Sequence, residues 1–116
     1  MHQVFRFDCV FYYVRNLDHS IEFYSQVLGF SLVSRDAVAR FNIDGVLFEL
    51  VPIDDAALLS GTGNARLTLA VDDIHAARSK LQGEQVAVSE VHTVSNGLLA
   101  SFADPDGNEI VLWQYT

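Results

Sequence analysis

DPDGNEIVLW (Asp104–Trp113) joins a tight turn to the start of a strand. Pro105 presets φ at the second turn position, the flanking aspartates can accept hydrogen bonds from the turn backbone, and Gly107 can adopt a positive φ. The residues over Asn108–Tyr115 are rich in branched and aromatic side chains, which predict a β-strand. This end of the chain therefore predicts a turn followed by a strand.

The first half of the chain repeats that pattern. Asn42–Leu50 (NIDGVLFEL) also places Asp-Gly before a strand-like run, and Val10–Leu17 (VFYYVRNL) aligns with Leu67–Ile74 (LTLAVDDI). A repeat of roughly fifty to sixty residues is too long for a solenoid unit. We therefore interpret the sequence as a duplicated βαβββ module; a chance echo between common strand and turn patterns is the alternative.

Each module is predicted to hold one helix and four strands. Asn16 and Asp73 are the expected N-caps of the two helices, over Leu17–Leu28 and from Ile74 to Gly83. Asn96-Gly97 indicates a hairpin turn. The predicted strands are Val4–Val14, Phe30–Ser34, Ala37–Ile43, Val46–Ile53, Arg66–Val71, Val86–His92, Leu98–Ala103 and Asn108–Tyr115.

Length and linker composition predict a single domain. The chain has 116 residues, enough for one hydrophobic core. Asp54–Asn64 clusters Ser, Gly, Thr and Asn at its end and is the only linker candidate. We predict module one at about 1–53, a linker at 54–64 and module two at about 65–116, all within that one domain.

Charge and cysteine content narrow the classes of partner. The net charge of −8 argues against nucleic acid and anionic membranes and is compatible with a neutral or cationic ligand. No apolar run reaches the ~18 residues of a membrane span. The single cysteine, Cys9, excludes an intrachain disulfide and fits a reducing compartment. With no signal-peptide pattern at the start, these features favour the cytoplasm.

Three segments together resemble the vicinal oxygen chelate superfamily, which includes glyoxalases, extradiol dioxygenases and bleomycin resistance proteins. They are Val14–Phe30 (VRNLDHSIEFYSQVLGF), Val71–Ile74 (VDDI) and Asp104–Leu112 (DPDGNEIVL), in the order and spacing of that family. The resemblance implies an α+β fold of two βαβββ modules whose curved sheets enclose a cleft. It also implies a small organic molecule as ligand and a homodimeric assembly.

The same resemblance implies a divalent metal held by four cleft residues. Those positions fall on Cys9, Glu49, Arg66 and Val111, of which only Glu49 keeps a metal-ligating carboxylate. An alkyl group cannot bind a metal, and arginine adds a fixed positive charge instead. We therefore predict no metal and no other cofactor. Glu49 and Arg66 would instead neutralise each other; an outward-facing strand glutamate and a surface arginine are the alternatives.

Aromatic residues complete the candidate site. Phe11, Tyr13 and Trp113 share strand phase with the metal positions and should line the cleft, where they could bind a flat ligand. They could equally form core or a dimer interface, and Cys9 could be a small buried hydrophobe. The full set predicted to bind ligand is Cys9, Phe11, Tyr13, Arg66, Val111 and Trp113.

Three functions fit these residues. The first is a metal-independent binding protein that sequesters or senses an organic molecule. The second is a glyoxalase-, epimerase- or dioxygenase-like enzyme, in which Glu49 is the general base and Arg66 stabilises the enolate. The third is a regulatory dimer with an occluded cleft. An open aromatic cleft without metal favours the first, a stoichiometric metal the second, and a filled cleft the third.

Overall fold

The computed structural model describes residues 4–54 and 65–116, which form two compact units. Apart from Asp54, the predicted linker Asp54–Asn64 lies outside the described residues. Each unit is a four-stranded sheet with helical structure between its first and second strands. The α+β fold of two βαβββ modules is therefore confirmed.

The helical segment of the first unit begins as an α-helix and continues from Phe23 as a π-helical turn. The elements are β1 (Cys9–Val14), α1 (Leu17–Glu22), the π turn (Phe23–Val27), β2 (Ser31–Arg35), β3 (Ala39–Ile43) and β4 (Val46–Pro52). The sheet order is β1-β4-β3-β2, with β1 and β4 parallel and the other pairs antiparallel.

The second unit repeats this topology. Its elements are β5 (Leu67–Ala70), α2 (Ile74–Gly83), β6 (His92–Val94), β7 (Gly97–Ala103) and β8 (Glu109–Tyr115). The sheet order is β5-β8-β7-β6, with β5 and β8 parallel and the remaining pairs antiparallel. The parallel pair at one edge and the two hairpin-type pairings match those of the first unit.

Local side-chain chemistry starts both helices where the sequence predicts. Asn16 Oδ1 accepts from the backbone N–H of His19 at 3.0 Å, and Asp73 Oδ1 accepts from that of Ala76 at 3.1 Å. The first helix departs from regular α geometry because Ser25 Oγ donates to the Ile21 carbonyl at 2.6 Å. That carbonyl is the normal acceptor for the Ser25 N–H, so the hydroxyl competes with the helix ladder.

An aromatic cluster forms the core of the first unit. The fully buried Tyr24 lies on the π turn and packs on Phe48 and Phe41, with ring centroids 5.0 and 6.2 Å away. Phe41 and Phe48 are opposite each other on β3 and β4. Burial of three such rings removes several hundred Å² of apolar surface from water, which fixes this face of the sheet against the helix.

Two turns confirm the Asp-Gly signals. Asp44 and Gly45 both have positive φ, 53° and 87°, as the two-residue turn between β3 and β4 requires. Asp104 is buried, and its Oδ1 accepts from the backbone N–H groups of Asp106 and Asn108 at 2.8 and 2.9 Å. The carboxylate therefore accepts hydrogen bonds from the backbone of the Asp-Pro-Asp-Gly turn and of the residue that follows it.

Two predicted strands are wrong in extent. β1 begins at Cys9 rather than Val4, because its partner strand begins at Val46, opposite the residue before Cys9. The strand predicted over Val86–His92 is replaced by a single bridge at Val88 and by β6. There the Ser101 N–H donates to Ser89 Oγ at 2.9 Å, so a side-chain hydroxyl rather than a backbone carbonyl accepts this hydrogen bond.

The Asn96-Gly97 hairpin is present, but shifted by one residue. Val94 pairs with Gly97, so the turn residues are Ser95 and Asn96, and Gly97 is the first residue of β7. Gly97 therefore has a role in the sheet rather than in the turn.

Candidate functional site

The first open face is the face of the β1–β4 sheet opposite the buried aromatic cluster. Side chains alternate across a strand, so the residues flanking Phe41 and Phe48 point away from that cluster. One row across the sheet consists of Phe11, Glu49 and Arg40, which are register partners on β1, β4 and β3. We define the first open face by Cys9, Phe11, Tyr13, Arg40 and Glu49.

An ion pair lies at the centre of the first open face. Arg40 Nε donates to Glu49 Oε2 at 3.2 Å, and the Glu49 side chain is only 19% exposed. The Cys9 thiol donates to the other carboxylate oxygen at 3.8 Å. Arg40 Nη1 also reaches Asp36 Oδ2 at 3.1 Å and Ser34 Oγ at 3.4 Å. The guanidinium is thereby held beside Glu49 by two further side chains.

These contacts shift three pKa values. Burial, and then the negative charge of Glu49, raises the pKa of the Cys9 thiol above its ordinary value of 9.0. Backbone hydrogen bonding from Val38, followed by the side-chain bond from Arg40, lowers the pKa of Asp36. The hydrogen bond to Asp36 in turn raises the pKa of Arg40. The cluster therefore holds a fixed cation at Arg40, a neutral thiol at Cys9 and an ionised carboxylate at Asp36 near pH 7.

Two aromatic rings extend the first open face along β1. Phe11 is 45% exposed and meets the half-buried Tyr13 edge to face, with ring centroids 5.2 Å apart. Phe11 is also the strand partner of Glu49. An exposed ring thus lies beside a half-buried charge pair.

The second open face is the corresponding face of the β5–β8 sheet. Thr68, Val111 and Ser101 form one row across it, and Ala70, Trp113 and Leu99 form the next. Ile110 and Leu112, which alternate with them on β8, are buried on the opposite side. We define this second open face by the two rows, together with Arg66, Gly97 and Glu109.

Arg66 has a partner within its own unit. Its Nε lies 3.1 Å from Glu109 Oε2, and both side chains are about one-third or more exposed (34% and 43%). Val111 is half-buried and offers only an alkyl group. Trp113 packs edge to face on Tyr115, with centroids 5.6 Å apart.

The sequence did not identify Arg40 or Glu109 as partners of the predicted site residues. Arg40 could have been found, because the two-residue Asp44-Gly45 turn sets the register, and counting back from it places Arg40 opposite Glu49. The direct coupling of Glu49 to Arg66 stays a prediction. In the structure, Glu49 pairs with Arg40 and Arg66 pairs with Glu109, each within its own unit.

Comparison with known proteins gives the family. Residues 6–112 match the model of the Glyoxalase/Bleomycin resistance protein/Dioxygenase superfamily, and the chain belongs to that superfamily. Among curated proteins none matches the chain.

Solved structures of similar architecture cover nearly the whole chain. The antibiotic-binding protein TnmS3 from Streptomyces sp. CB03234 is 27% identical with a TM-score of 0.74, covering 99% of this chain and 100% of its own. The fosfomycin resistance protein FosX from Listeria monocytogenes is 12% identical with a TM-score of 0.82, covering 98% and 96%. Lactoylglutathione lyase from Agrobacterium tumefaciens is 15% identical with a TM-score of 0.73, covering 94% and 92%.

The donor groups at the four predicted metal positions do not fit a divalent cation. Glu49 already bonds a guanidinium, the Cys9 thiol has a raised pKa, and Val111 has no donor atom. Within residues 4–54 and 65–116, no three His, Cys, Asp or Glu side chains come together as a metal-binding group.

Over the same residues, no helix has both the length and the apolar character to cross a membrane.

Proposed function

We propose that this protein binds a small organic molecule on its open faces, without the divalent metal of its superfamily, and that it sequesters or senses that molecule. The ion pair between Arg40 and Glu49 is the observation that carries this proposal. A metal ion at Glu49 would have to displace the Arg40 guanidinium, which Asp36 and Ser34 also hold in place. The metal ion would then be repelled by the positive charge of the nearby Arg40.

The chemistry of the first open face favours a flat ligand that is neutral or cationic. Phe11 supplies an exposed ring, and Tyr13 braces it from the side. Arg40 is balanced by two carboxylates, Glu49 and Asp36, so the cluster carries a net negative charge. An apolar ring next to hydrogen-bonding groups is the usual composition of a small-molecule site.

Likeness to known proteins supports the same class of function. TnmS3 is described as an antibiotic-binding protein, and FosX as a fosfomycin resistance protein. We further propose that this chain acts in the cytoplasm as a homodimer, with no nucleic acid or membrane as partner. Its net charge of −8 and its single cysteine support that setting.

Elemental analysis together with a binding titration tests the proposal. After expression in metal-supplemented medium, we expect purified protein to contain far less than one Ni, Zn, Fe or Mn per chain. The same protein should bind a planar organic probe such as N-phenylnaphthylamine saturably. A stoichiometric metal that is lost in Glu49→Gln would overturn the metal-independent assignment, and wild-type protein that binds no member of a diverse small-molecule library would overturn the binding function.

A second candidate function is catalysis with Glu49 as general base. Among the described residues, Glu49 Oε1 contacts only the weakly donating Cys9 thiol, so its lone pairs can accept a proton from a carbon next to a carbonyl. The electron pair would move to the carbonyl oxygen as the enolate forms. Loss of turnover in Glu49→Gln with unchanged substrate binding would favour this function; absence of any turnover on such substrates would reject it.

A further inference from the structure

Gly97 lies beneath the indole of Trp113. A Cβ built on Gly97 would lie 2.5 Å from Trp113 Cζ2 and 2.7 Å from Cη2, closer than real Cβ contacts allow. It would also lie 2.7 Å from the carbonyl oxygen of Gln114. Gly97 is buried, and the six-membered part of the indole occupies the space where any other residue would place its side chain.

Backbone conformation does not explain this glycine. Positive φ occurs at Gly29, Gly45 and Gly107, whereas Gly97 is a regular residue of β7 paired with Tyr115. Glycine in a strand has an entropic cost and often marks a close approach of another group. The close group here is the indole, so space rather than torsion requires the glycine.

We propose that Gly97 is a positioning residue: because it has no side chain, the indole of Trp113 can lie directly against β7. In that position the face of the indole ring is available to stack on a planar aromatic ligand. This inference rests on the proposed binding function and names the class of ligand for the second open face. Tyr115 braces the indole edge to face at 84°, which fixes the ring from the side.

The surroundings of Trp113 match an uncharged planar ligand. Its row partners Ala70 and Leu99 are small or apolar. The charged residues of this face, Arg66 and Glu109, are bonded to each other at 3.1 Å. A planar aromatic molecule could therefore cover the indole without placing a charge against an unbalanced one.

The first test needs no ligand, because Trp113 is the only tryptophan in the chain. Gly97→Ala should push the indole away from β7, and this should red-shift its emission, increase its quenching by acrylamide and weaken the near-ultraviolet circular dichroism of the Trp113–Tyr115 pair. Gly83→Ala is the matched control, since a Cβ on Gly83 meets nothing within 4 Å and should change none of these signals. A folded Gly97→Ala variant with wild-type spectra would overturn the positioning role.

The second test measures binding of N-phenylnaphthylamine. Trp113→Ala and Gly97→Ala should each raise the dissociation constant by about fivefold or more, as expected for a lost aromatic contact. Gly83→Ala should leave the dissociation constant unchanged. Wild-type affinity in a folded Gly97→Ala variant would overturn the proposal. If wild-type protein binds no planar probe, the binding function fails, even where the ligand-free spectra show that Gly97 positions the indole.

A double variant covers the case in which Gly97→Ala does not fold. Trp113→Phe removes the atoms nearest to the added Cβ, so Gly97→Ala/Trp113→Phe should fold if the indole is the reason for the glycine. If the double variant also fails to fold, the contact with the Gln114 carbonyl decides the residue, and the proposal is wrong.

Discussion

Arg40 Nε lies 3.2 Å from Glu49 Oε2, and the two residues are directly opposite each other on neighbouring antiparallel strands. Of the four metal positions that the family resemblance predicts, only Glu49 has a carboxylate. A cation of the chain itself thus lies at this position. Arg40 cannot lose its charge in the accessible pH range, so a fixed positive charge lies beside Glu49.

A double-mutant cycle should show that this pair is coupled. Glu49→Gln and Arg40→Met should each lower the free energy of unfolding by about 1 kcal/mol, because each change removes the half-buried ion pair and leaves the other member without this contact. The double mutant should recover about half of the summed loss. Urea denaturation measures all three values.

A second cycle, with Arg66→Met in place of Arg40→Met, tests the predicted coupling between Glu49 and Arg66. If the losses of Glu49→Gln and Arg66→Met add within about 0.3–0.5 kcal/mol, those two residues are independent and that hypothesis fails. Additivity of Glu49→Gln with Arg40→Met would instead contradict the importance of the observed pair.

The raised pKa of Cys9 predicts slow alkylation near neutral pH. Only the thiolate reacts, and both burial and the Glu49 charge disfavour it, so the rate of reaction with iodoacetamide should have its pH midpoint above 9.0. Glu49→Gln should lower that midpoint, because it removes the charge but not the burial. Glu22→Gln, an exposed helix residue, is the control and should leave it in place.

Linkage gives a second readout of the same thiol. The folded state holds the Cys9 proton more tightly than the unfolded chain, so its stabilising contribution is complete below the unfolded pKa and is lost as the pH rises through the folded pKa. Cys9→Ser should therefore flatten the alkaline part of the stability curve. A rapid reaction with iodoacetamide at about pH 7 would contradict the whole assignment.

The buried Asp104 should contribute more to stability than its turn position suggests. Its carboxylate accepts from two backbone N–H groups and from Asn108 Nδ2 at 2.9 Å, so Asp104→Ala removes the acceptor of three hydrogen bonds, two of them buried and one half-buried. We expect a loss of about 2–3 kcal/mol. Asp104→Asn should lose less, because an amide oxygen still accepts from the backbone.

Urea midpoints at an unchanged m value measure these losses. Asp72→Ala, at an exposed loop position, should stay within about 0.5 kcal/mol of wild type. Equal midpoints for Asp104→Ala and Asp72→Ala would show that water replaces the carboxylate at no cost.

The sequence predicts best those features whose partners are close in the chain. Asp104 bonds groups within four residues of itself, and Asn16 within three, so a short stretch contains the whole interaction. The Asp44-Gly45 turn also sets the pairing of β3 with β4, from which the Arg40–Glu49 contact follows.

Features that depend on distant parts of the chain were beyond the sequence. Asn96-Gly97 predicts a turn on local grounds, and only the packing of Trp113 shows why the glycine belongs in β7. Similarly, nothing near Ser89 indicates that its hydroxyl takes a backbone N–H from Ser101. In each case a contact across the sheet overrides a local preference.

The remaining prediction separates the two candidate functions on the first open face. Phe11 is 45% exposed beside Glu49, so Phe11→Ala should weaken binding of N-phenylnaphthylamine by about fivefold or more, through loss of apolar and aromatic contact. Phe5→Ala is the matched control: Phe5 is 83% exposed and lies outside the sheet, so its loss should change the dissociation constant little.

Glu49→Gln supplies the deciding comparison, because it keeps the size of the side chain and removes its charge and basicity. A binding protein should lose affinity for ligands that donate hydrogen bonds to Glu49, whereas an enzyme should lose turnover at nearly unchanged affinity. Probe fluorescence measures the first, and proton exchange at the carbon next to a substrate carbonyl measures the second. If Phe11→Ala and Phe5→Ala have the same effect and Glu49→Gln has none, the first open face is not the ligand site.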